Sequence, residues 1–236
     1  MKKSGLRRNL CGQVVHDLGQ RILAGQWEPG TALPQEVSLC ESMGVSRTVI
    51  REAIKSLAAK GLVESKAKRG TIVQPPNCWN YLDPEVLAWQ TRADGDGKLL
   101  SYLTEFRQTI EPAAASFAAT RGSDEHLDHI KEAFEQMERS TEDVEAFLAA
   151  DTEFHTSILR ATGNPFFAPV ANLISVALQG SLRVTNRQPS DNRVSIPVHE
   201  KVMKAIIERK PRAARAAMKA HLDEAAERIA ASTEQP

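Results

Sequence analysis

The chain of 236 residues contains few cysteines and no long apolar run, and each absence excludes a class of protein. Its cysteines are Cys11, Cys40 and Cys78, an odd number without a CxxC pair, which argues against both a disulfide framework and a zinc ribbon. No apolar run approaches the roughly 20 residues that span a bilayer, and no apolar signal-peptide core follows the basic N-terminus. We therefore predict a soluble, cytoplasmic protein with no membrane partner.

The chain as a whole also lacks an excess of charge of either sign, but its two parts differ. The formal net charge is +0 at pH 7, yet residues 1–76 contain twice as many Lys and Arg as Asp and Glu, and the remainder is correspondingly acidic. A basic N-terminal part is expected when that domain binds a polyanion, although a solvated basic surface would give the same excess of positive charge. The length allows two domains, each with its own core.

The hydrophobic spacing near the N-terminus predicts three short helices. Apolar residues recur at helical spacing from Leu10 to Ile22, and a second helix, with Pro34 in its first turn, ends at Gly44. Ser46 is placed to cap a third helix, which ends at Lys60-Gly61. The β-prone segments 62–64 and 71–73 then predict a hairpin. This order of elements is typical of a winged helix-turn-helix.

The remaining chain has a helical pattern with hardly any strand signal. We predict that residues 1–76 form a winged helix-turn-helix domain and that residues 77–97 form a linker with a short helix from Asp83 to Gln90. Residues 98–236 are predicted to form an all-α antiparallel helical bundle of about six helices. The predicted fold class is therefore mainly α.

The third helix and the hairpin carry residues suited to reading DNA. On the helix, the polar residues opposite its apolar side are Arg47, Thr48, Arg51 and Lys55. At the hairpin tip, the residues suited to approach the backbone are Lys66, Lys68, Arg69 and Gly70. Guanidinium groups bond guanine edges in the major groove, and ammonium or hydroxyl groups fix the register on phosphate. Each basic residue alone is equally typical of solvated surface, so the prediction depends on the ordered set.

Four polar residues lie on otherwise apolar faces of the C-terminal helices. They are Asp151, His155, His199 and His221. Burying a carboxylate or an imidazole without a partner costs several kcal/mol, so something must satisfy them. The set suits a divalent transition metal, for which we predict zinc, with nickel, manganese and iron as alternatives. The same spacing is also consistent with hydrogen-bonded core histidines.

The segment PGTALPQEVSLCESMGVSRTVIREAIKSLAAKGLVESKAKRGTIVQP resembles the DNA-binding domain of the GntR family of bacterial regulators, over residues from about 10 to 76. The resemblance implies that Arg47, Thr48 and Arg51 contact operator bases and phosphates. It also implies that Arg69-Gly70 is the contact of the wing. Many members have Arg at the position of Val37, so one usual DNA contact is missing here.

Residues 99–225 resemble the helical effector domain of the FadR-type branch of that family, in its metal-containing form. The segments that carry this resemblance are FRQTIEPAAASFAA, DTEFHTSILRATGNP, HEKVMKAI and MKAHL. It implies that the four polar residues above bind the metal and that an effector acid completes the coordination. Arg107 would then hold the effector carboxylate, or else form an ion pair with Glu111 one turn away.

We predict a homodimeric repressor of a catabolic operon that leaves its double-stranded operator when a small carboxylate effector binds. The linker NCWNYLDPEVLAW resembles that of family members that respond to a sugar acid, so a compound such as galactonate is expected. We predict no enzymatic activity, because no base or nucleophile is matched to the histidines. The alternatives are a metal-dependent enzyme acting on a small hydroxy acid, and a regulator whose His and Asp cluster is purely structural.

Overall fold

The computed structural model describes the backbone of residues 2–93, 98–185 and 189–233, and the side chains of residues 10–93, 98–180 and 189–231. The chain divides into two compact units, Met1–Gly95 and Asp96–Pro236. The fold class is mainly α, as predicted. Within the described residues, none of the helices is both long enough and apolar enough to cross a membrane.

The two units differ in their elements. In the described part of the N-terminal unit these are α1 Lys2–Leu23, α2 Glu36–Met43, α3 Arg47–Ala59, β1 Val63–Lys66, β2 Gly70–Val73 and α4 Pro84–Ala93. In the described part of the C-terminal unit the long helices are α5 Lys98–Arg121, α6 Asp124–Arg139, α7 Val144–Ala161, α8 Ala168–Thr185, α9 Pro189–Ile207 and α10 Pro211–Thr233.

The turn between α2 and α3 follows the signals in the sequence. Gly44 ends α2 in the left-handed region, at φ 64°, which glycine adopts without strain. The Val49 amide then donates to the Ser46 hydroxyl, 3.5 Å away, and this bond caps α3. Ile50 and Leu57 are fully buried on the inner side of α3, so its polar side chains face outward.

The helix α2 begins at Glu36 rather than near Pro34. The residues before it are extended, because the Leu33 amide donates to the Thr71 carbonyl of β2 at 2.8 Å. Pro34 therefore follows an extended segment, where its missing amide hydrogen breaks no helix bond. Local spacing does not reveal this pairing, because the two partners lie far apart in the sequence.

The short helix α4 belongs to the N-terminal unit, which therefore extends beyond the boundary predicted at residue 76. The Trp89 ring lies against Gly19 of α1, and its indole Nε1 donates to His16 Nδ1 at 2.9 Å. Lys60, which follows α3, lies 2.7 Å from Asp83, the residue before α4. The segment predicted as a linker is thus largely a packed part of this unit.

In the C-terminal unit, α7 lies within the apolar core, and α5 and α10 pack side by side. Phe154 of α7 is fully buried. The Gln108 amide of α5 donates to Asp223 of α10 at 3.0 Å, whereas Arg209, just before α10, donates to the carbonyl of Gly122, just after α5. The two helices are therefore antiparallel, as expected for the predicted bundle.

We predict that Gly19→Ala lowers the melting temperature of the N-terminal unit. A Cβ atom at residue 19 would lie 2.3 Å from Trp89 Cζ3, so the indole would have to leave its place against α1. Overpacking of this kind costs about 1–3 kcal/mol. The control is Gly12→Ala in the same helix, where the added Cβ meets nothing within 4 Å. Calorimetry measures both variants, and a Gly19→Ala protein as stable as the wild type would contradict the packing.

Candidate functional site

Three helices bring the four polar residues of the C-terminal unit to one buried place. Asp151 and His155 lie one turn apart on α7, His199 lies on α9, and His221 lies on α10. None of the four is more than 6% exposed. One ring nitrogen of each histidine lies within 4.8 Å of the corresponding atoms of the other two. We call these four residues the His/Asp cluster.

Several atoms of the His/Asp cluster are buried without a hydrogen-bond partner. They are Asp151 Oδ2, His155 Nε2, His199 Nε2 and His221 Nδ1. Asp151 Oδ1 lies 2.9 Å from His199 Nε2, although this nitrogen has no hydrogen-bond partner. Atoms that face a common centre rather than each other have this arrangement when they share a metal ion. Because each unpaired buried atom otherwise costs about 1–3 kcal/mol, the residues fit a metal better than a closed hydrogen-bond network.

Hydrogen bonds on the opposite sides of two rings fix their orientation. His155 Nδ1 is bonded to Glu111 Oε2 of α5, and His199 Nδ1 donates to the Ser195 carbonyl at 2.8 Å. A proton on Nδ1 leaves Nε2 of the same ring with a free lone pair, which is the form that binds a metal. Glu111 and Ser195 therefore orient two members of the cluster.

The surrounding charges keep both buried carboxylates ionised. Burial would raise the pKa of Glu111, but the charges of Arg107 and His155 and the hydrogen bonds from them lower it to about 2. Burial also opposes ionisation of Asp151, yet the neighbouring His199 and His155 lower its pKa below the usual value. Both carboxylates are thus charged at neutral pH, as a metal ligand and its outer partner must be.

The imidazole of His221 is kept neutral. Burial is the main cause that lowers its pKa well below the usual value. The charges of Arg107 and Arg228 add to this effect, as would a second proton on His199 or His155. Only a neutral imidazole offers a lone pair to a metal. The protonation state of His221 is therefore the one that a ligand requires.

Arg107 of α5 lies beside the cluster and is only 3% exposed. Its Nε donates to Glu111 Oε1 at 2.6 Å, so the ion pair expected as the alternative is present. The terminal nitrogen Nη2, however, is buried without a partner. The ion pair holds the guanidinium in place while one nitrogen remains for a ligand oxygen, so carboxylate binding by Arg107 stays a prediction.

The contact of Glu111 with His155 was missed by sequence reasoning. Glu111 lies one turn after Arg107, so the local pattern suggests an ion pair within α5 and no further role. The second oxygen reaches His155 only because α5 packs against α7. A buried carboxylate on an otherwise apolar helix face is the one signal that the sequence contains.

All of the residues predicted to face DNA are exposed: Arg47, Thr48, Arg51, Lys55, Lys66, Lys68, Arg69 and Gly70. Three of them form surface ion pairs, which are Arg51–Glu36 at 2.9 Å, Lys55–Glu52 at 2.9 Å and Lys66–Glu64 at 3.1 Å. Pairs this exposed contribute about 1 kcal/mol or less, so phosphate can readily replace the carboxylate. The side chains are available to a duplex, and their contacts with DNA remain predictions.

Two family models match the chain. The model for bacterial regulatory proteins of the gntR family matches residues 10–73, and the model for the FCD domain matches residues 102–224. The first match covers the outward polar face of α3 and the wing. The second covers the whole His/Asp cluster and Arg107.

The chain is also similar to individual proteins. It is 41% identical over 167 residues to the galactonate operon transcriptional repressor of Escherichia coli strain K12, covering 71% of this chain and 73% of that one. It is 30% identical over 207 residues to the HTH-type transcriptional regulator LutR of Bacillus subtilis strain 168, covering 85% of this chain and 92% of that one. Both relatives are transcriptional regulators.

Solved structures share the fold. A Streptococcus agalactiae GntR protein matches with a TM-score of 0.52 and 26% identity, covering 92% of this chain and 99% of that one. The Listeria monocytogenes protein Lar matches with a TM-score of 0.65 and 20% identity, covering 94% of this chain and 96% of that one. At that identity, the likeness to Lar shows the fold alone.

We predict that Glu111→Gln weakens metal binding by about 10–100-fold, the usual effect of removing an outer partner of a histidine ligand. The amide keeps the shape of the side chain but loses the charge that binds both Arg107 and His155. Glu105→Gln, on the exposed side of α5, is the matched control. Competition with a chelating dye measures the affinity of each protein. Equal affinities for the two variants would contradict the orienting role.

We also predict that Glu111 makes the metal-free protein acid-sensitive. Its folded-state pKa of about 2 lies below the ordinary value of 4.5, so the unfolded chain takes up a proton first as the pH falls. The stabilisation is therefore complete above pH 4.5 and is lost from there towards pH 2. The free energy of urea unfolding should fall more steeply below pH 4.5 than in Glu111→Gln, by up to about 1.4 kcal/mol per pH unit. Parallel curves for the two proteins would rule this out.

Proposed function

Because this chain belongs to the GntR family of bacterial regulatory proteins and carries an FCD domain, we propose that it is a repressor of a catabolic operon which a sugar acid releases from its operator. That it is a DNA-binding regulator with a small-molecule effector follows from the family. The galactonate operon repressor is a relative, so galactonate is the effector that we propose. The observation that carries the proposal is the set of unpaired buried atoms of the His/Asp cluster beside the unpaired Arg107 Nη2. As a reader of bacterial DNA, the protein works in the cytoplasm.

Operator recognition is assigned to α3 and the wing. Arg47, Thr48 and Arg51 lie on the exposed side of the capped helix, where they can enter a major groove. The basic wing residues Lys66, Lys68 and Arg69 suit the phosphate backbone, as does Lys55 at the far end of α3. A single copy would bind few base pairs, so two copies are needed to read half-sites about one helical turn apart.

A homodimer is supported by the outer face of α5. Apolar side chains follow one another there at helical spacing and are exposed or half-buried; they are Tyr102, Phe106, Ile110, Ala113 and Phe117. Tyr102 is 64% exposed and Phe117 38% exposed. A stripe of this spacing is typical of a helix that packs against another helix. We assign it to the matching face of a second copy.

The His/Asp cluster is proposed to hold a divalent transition metal, zinc in the first place. When bound, the metal would offer open coordination positions to the oxygens of an acid. Arg107 Nη2 is placed to donate to the carboxylate of that acid, since Glu111 holds the guanidinium at Nε. A purely structural cluster would leave this buried nitrogen without a function.

We propose sensing rather than catalysis for this site. A metalloenzyme would need a general base next to the substrate, and Glu111 is the carboxylate beside the cluster. It is bonded to both Arg107 and His155, and its pKa of about 2 makes it a poor base near neutral pH. Incubation of the metal-loaded protein with galactonate should therefore give no product, and sustained turnover would favour the enzyme instead.

The effector response is tested by fluorescence anisotropy on the DNA upstream of the protein's own gene. Galactonate should weaken binding of the metal-loaded protein, and a chelator should abolish that response. His199→Ala should still bind the DNA but ignore galactonate, because the variant removes one ligand and leaves the N-terminal unit intact. By linkage, the DNA must weaken galactonate binding by the same factor. A response unchanged by chelation or by His199→Ala would refute the proposed site.

Two substitutions in the N-terminal unit should separate base reading from phosphate binding. Arg47→Ala should weaken operator binding by about 10–100-fold and reduce the preference for operator over unrelated DNA. Lys66→Ala should weaken binding to both kinds of DNA and lower the slope of log affinity against log salt by about one. Lys131→Ala, exposed on α6, is the control for loss of one charge. If Arg47→Ala and Lys66→Ala behaved alike, the assignment of base contacts to α3 would fail.

A further inference from the structure

Arg228 is a second arginine near the His/Asp cluster, and neither the sequence analysis nor the family resemblance assigns it a role. It follows His221 by two helical turns on α10, so the two side chains leave the helix on nearly the same face. Its Nε is buried and has no hydrogen-bond partner. Its charge acts on the His221 imidazole, as that of Arg107 does.

Arg228 is half-buried although an acidic neighbour lies one turn away. Glu224 precedes Arg228 by four residues, and such pairs on a helix normally meet. On the same helix Lys219 and Asp223 do form this pair, 2.5 Å apart. Among the described side chains, by contrast, no carboxylate pairs with Arg228. A guanidinium that leaves a nearby carboxylate unused and buries a donor is suited to a ligand.

The packing of α10 against α5 gives the order of the two arginines along the site. Gln108, next to Arg107, is bonded to Asp223, and the two helices are antiparallel. Arg107 is therefore level with the middle of α10, close to His221. Arg228 lies further along, towards the N-terminal end of α5, and about 10 Å along the helix axis from His221. A ligand that contacts both the cluster and Arg228 would therefore extend along α10.

We propose that Arg228 binds the distal hydroxyl groups of the effector, so that the site selects a long polyhydroxy acid over a short one. This inference rests on the proposed function, in which Arg107 and the cluster hold the carboxylate end. The hydroxyl oxygens of an aldonate can accept from a guanidinium, whereas a three-carbon acid held at the cluster ends before it reaches Arg228. Arg228 is accordingly a specificity residue for chain length.

Calorimetric titration of the metal-loaded, full-length protein with two acids tests this inference. Galactonate and glycerate share a carboxylate and an α-hydroxyl group but differ in chain length. The wild type should bind galactonate at least about tenfold tighter than glycerate, which is the usual value of a hydrogen bond to a charged group. Arg228→Gln should lose about tenfold in galactonate affinity and keep its glycerate affinity within about twofold. Arg215→Gln, an exposed arginine of α10, should leave both affinities unchanged.

The possible outcomes are distinct. Equal losses of affinity for both acids in Arg228→Gln, or no loss of affinity for either acid, would overturn the distal contact. If that variant lost its metal or melted early, the affinities of Arg228→Lys for the two acids would be compared with those of the wild type instead. Equal affinities of the wild type for galactonate and glycerate would contradict length selection whatever the variants do. A wild type that binds neither acid would refute the proposed effector itself, and the inference with it.

Discussion

The ion pair between Arg107 and Glu111 is the interaction on which the rest of the proposed effector site depends. One carboxylate oxygen of Glu111 accepts from Arg107, and the other is bonded to His155. Buried charges are costly unless each is paired, and this single carboxylate pairs a guanidinium and an imidazole at once. It thereby determines which atoms remain unpaired, namely the ring nitrogen of His155 that faces the cluster and one terminal nitrogen of Arg107. The same contact therefore pairs the buried charges and leaves free the atoms that we propose as the binding site.

A site built in this way suits a sensor because it joins several helices. Asp151 and His155 come from α7, His199 from α9 and His221 from α10, while α5 supplies Glu111, which orients His155. Whatever binds among these side chains must favour one mutual arrangement of the helices over others, and a ligand shifts a conformational equilibrium only by such a difference in affinity. Closely packed helices change between discrete arrangements rather than deforming smoothly. A small acid can therefore have an effect beyond the atoms it touches.

The sequence predicts those parts of the molecule that local chemistry determines. Ser46 caps α3 and Gly44 ends α2 because a hydroxyl and a left-handed glycine act on their own neighbours. His199 and His221 could be singled out because an imidazole among apolar residues at helical spacing is visible in one helix alone. The contact of Glu111 with His155 could not be predicted in this way, because it depends on the packing of two helices. The extent of the N-terminal unit was missed for the same reason, since Trp89 meets Gly19 across most of that unit's length.

The proposed DNA-reading surface differs from the buried cluster, because its residues are exposed. On α2, Glu36 is engaged by Arg51, and the next residue, Val37, is 43% exposed. A valine at a position where many members of the family have arginine cannot donate to a phosphate or to guanine. What it can offer to a major groove is an apolar contact, for which the methyl group of thymine is the matching feature. In the proposed mode of binding, the contribution of Val37 is therefore apolar, and polar base reading is assigned to the first turns of α3.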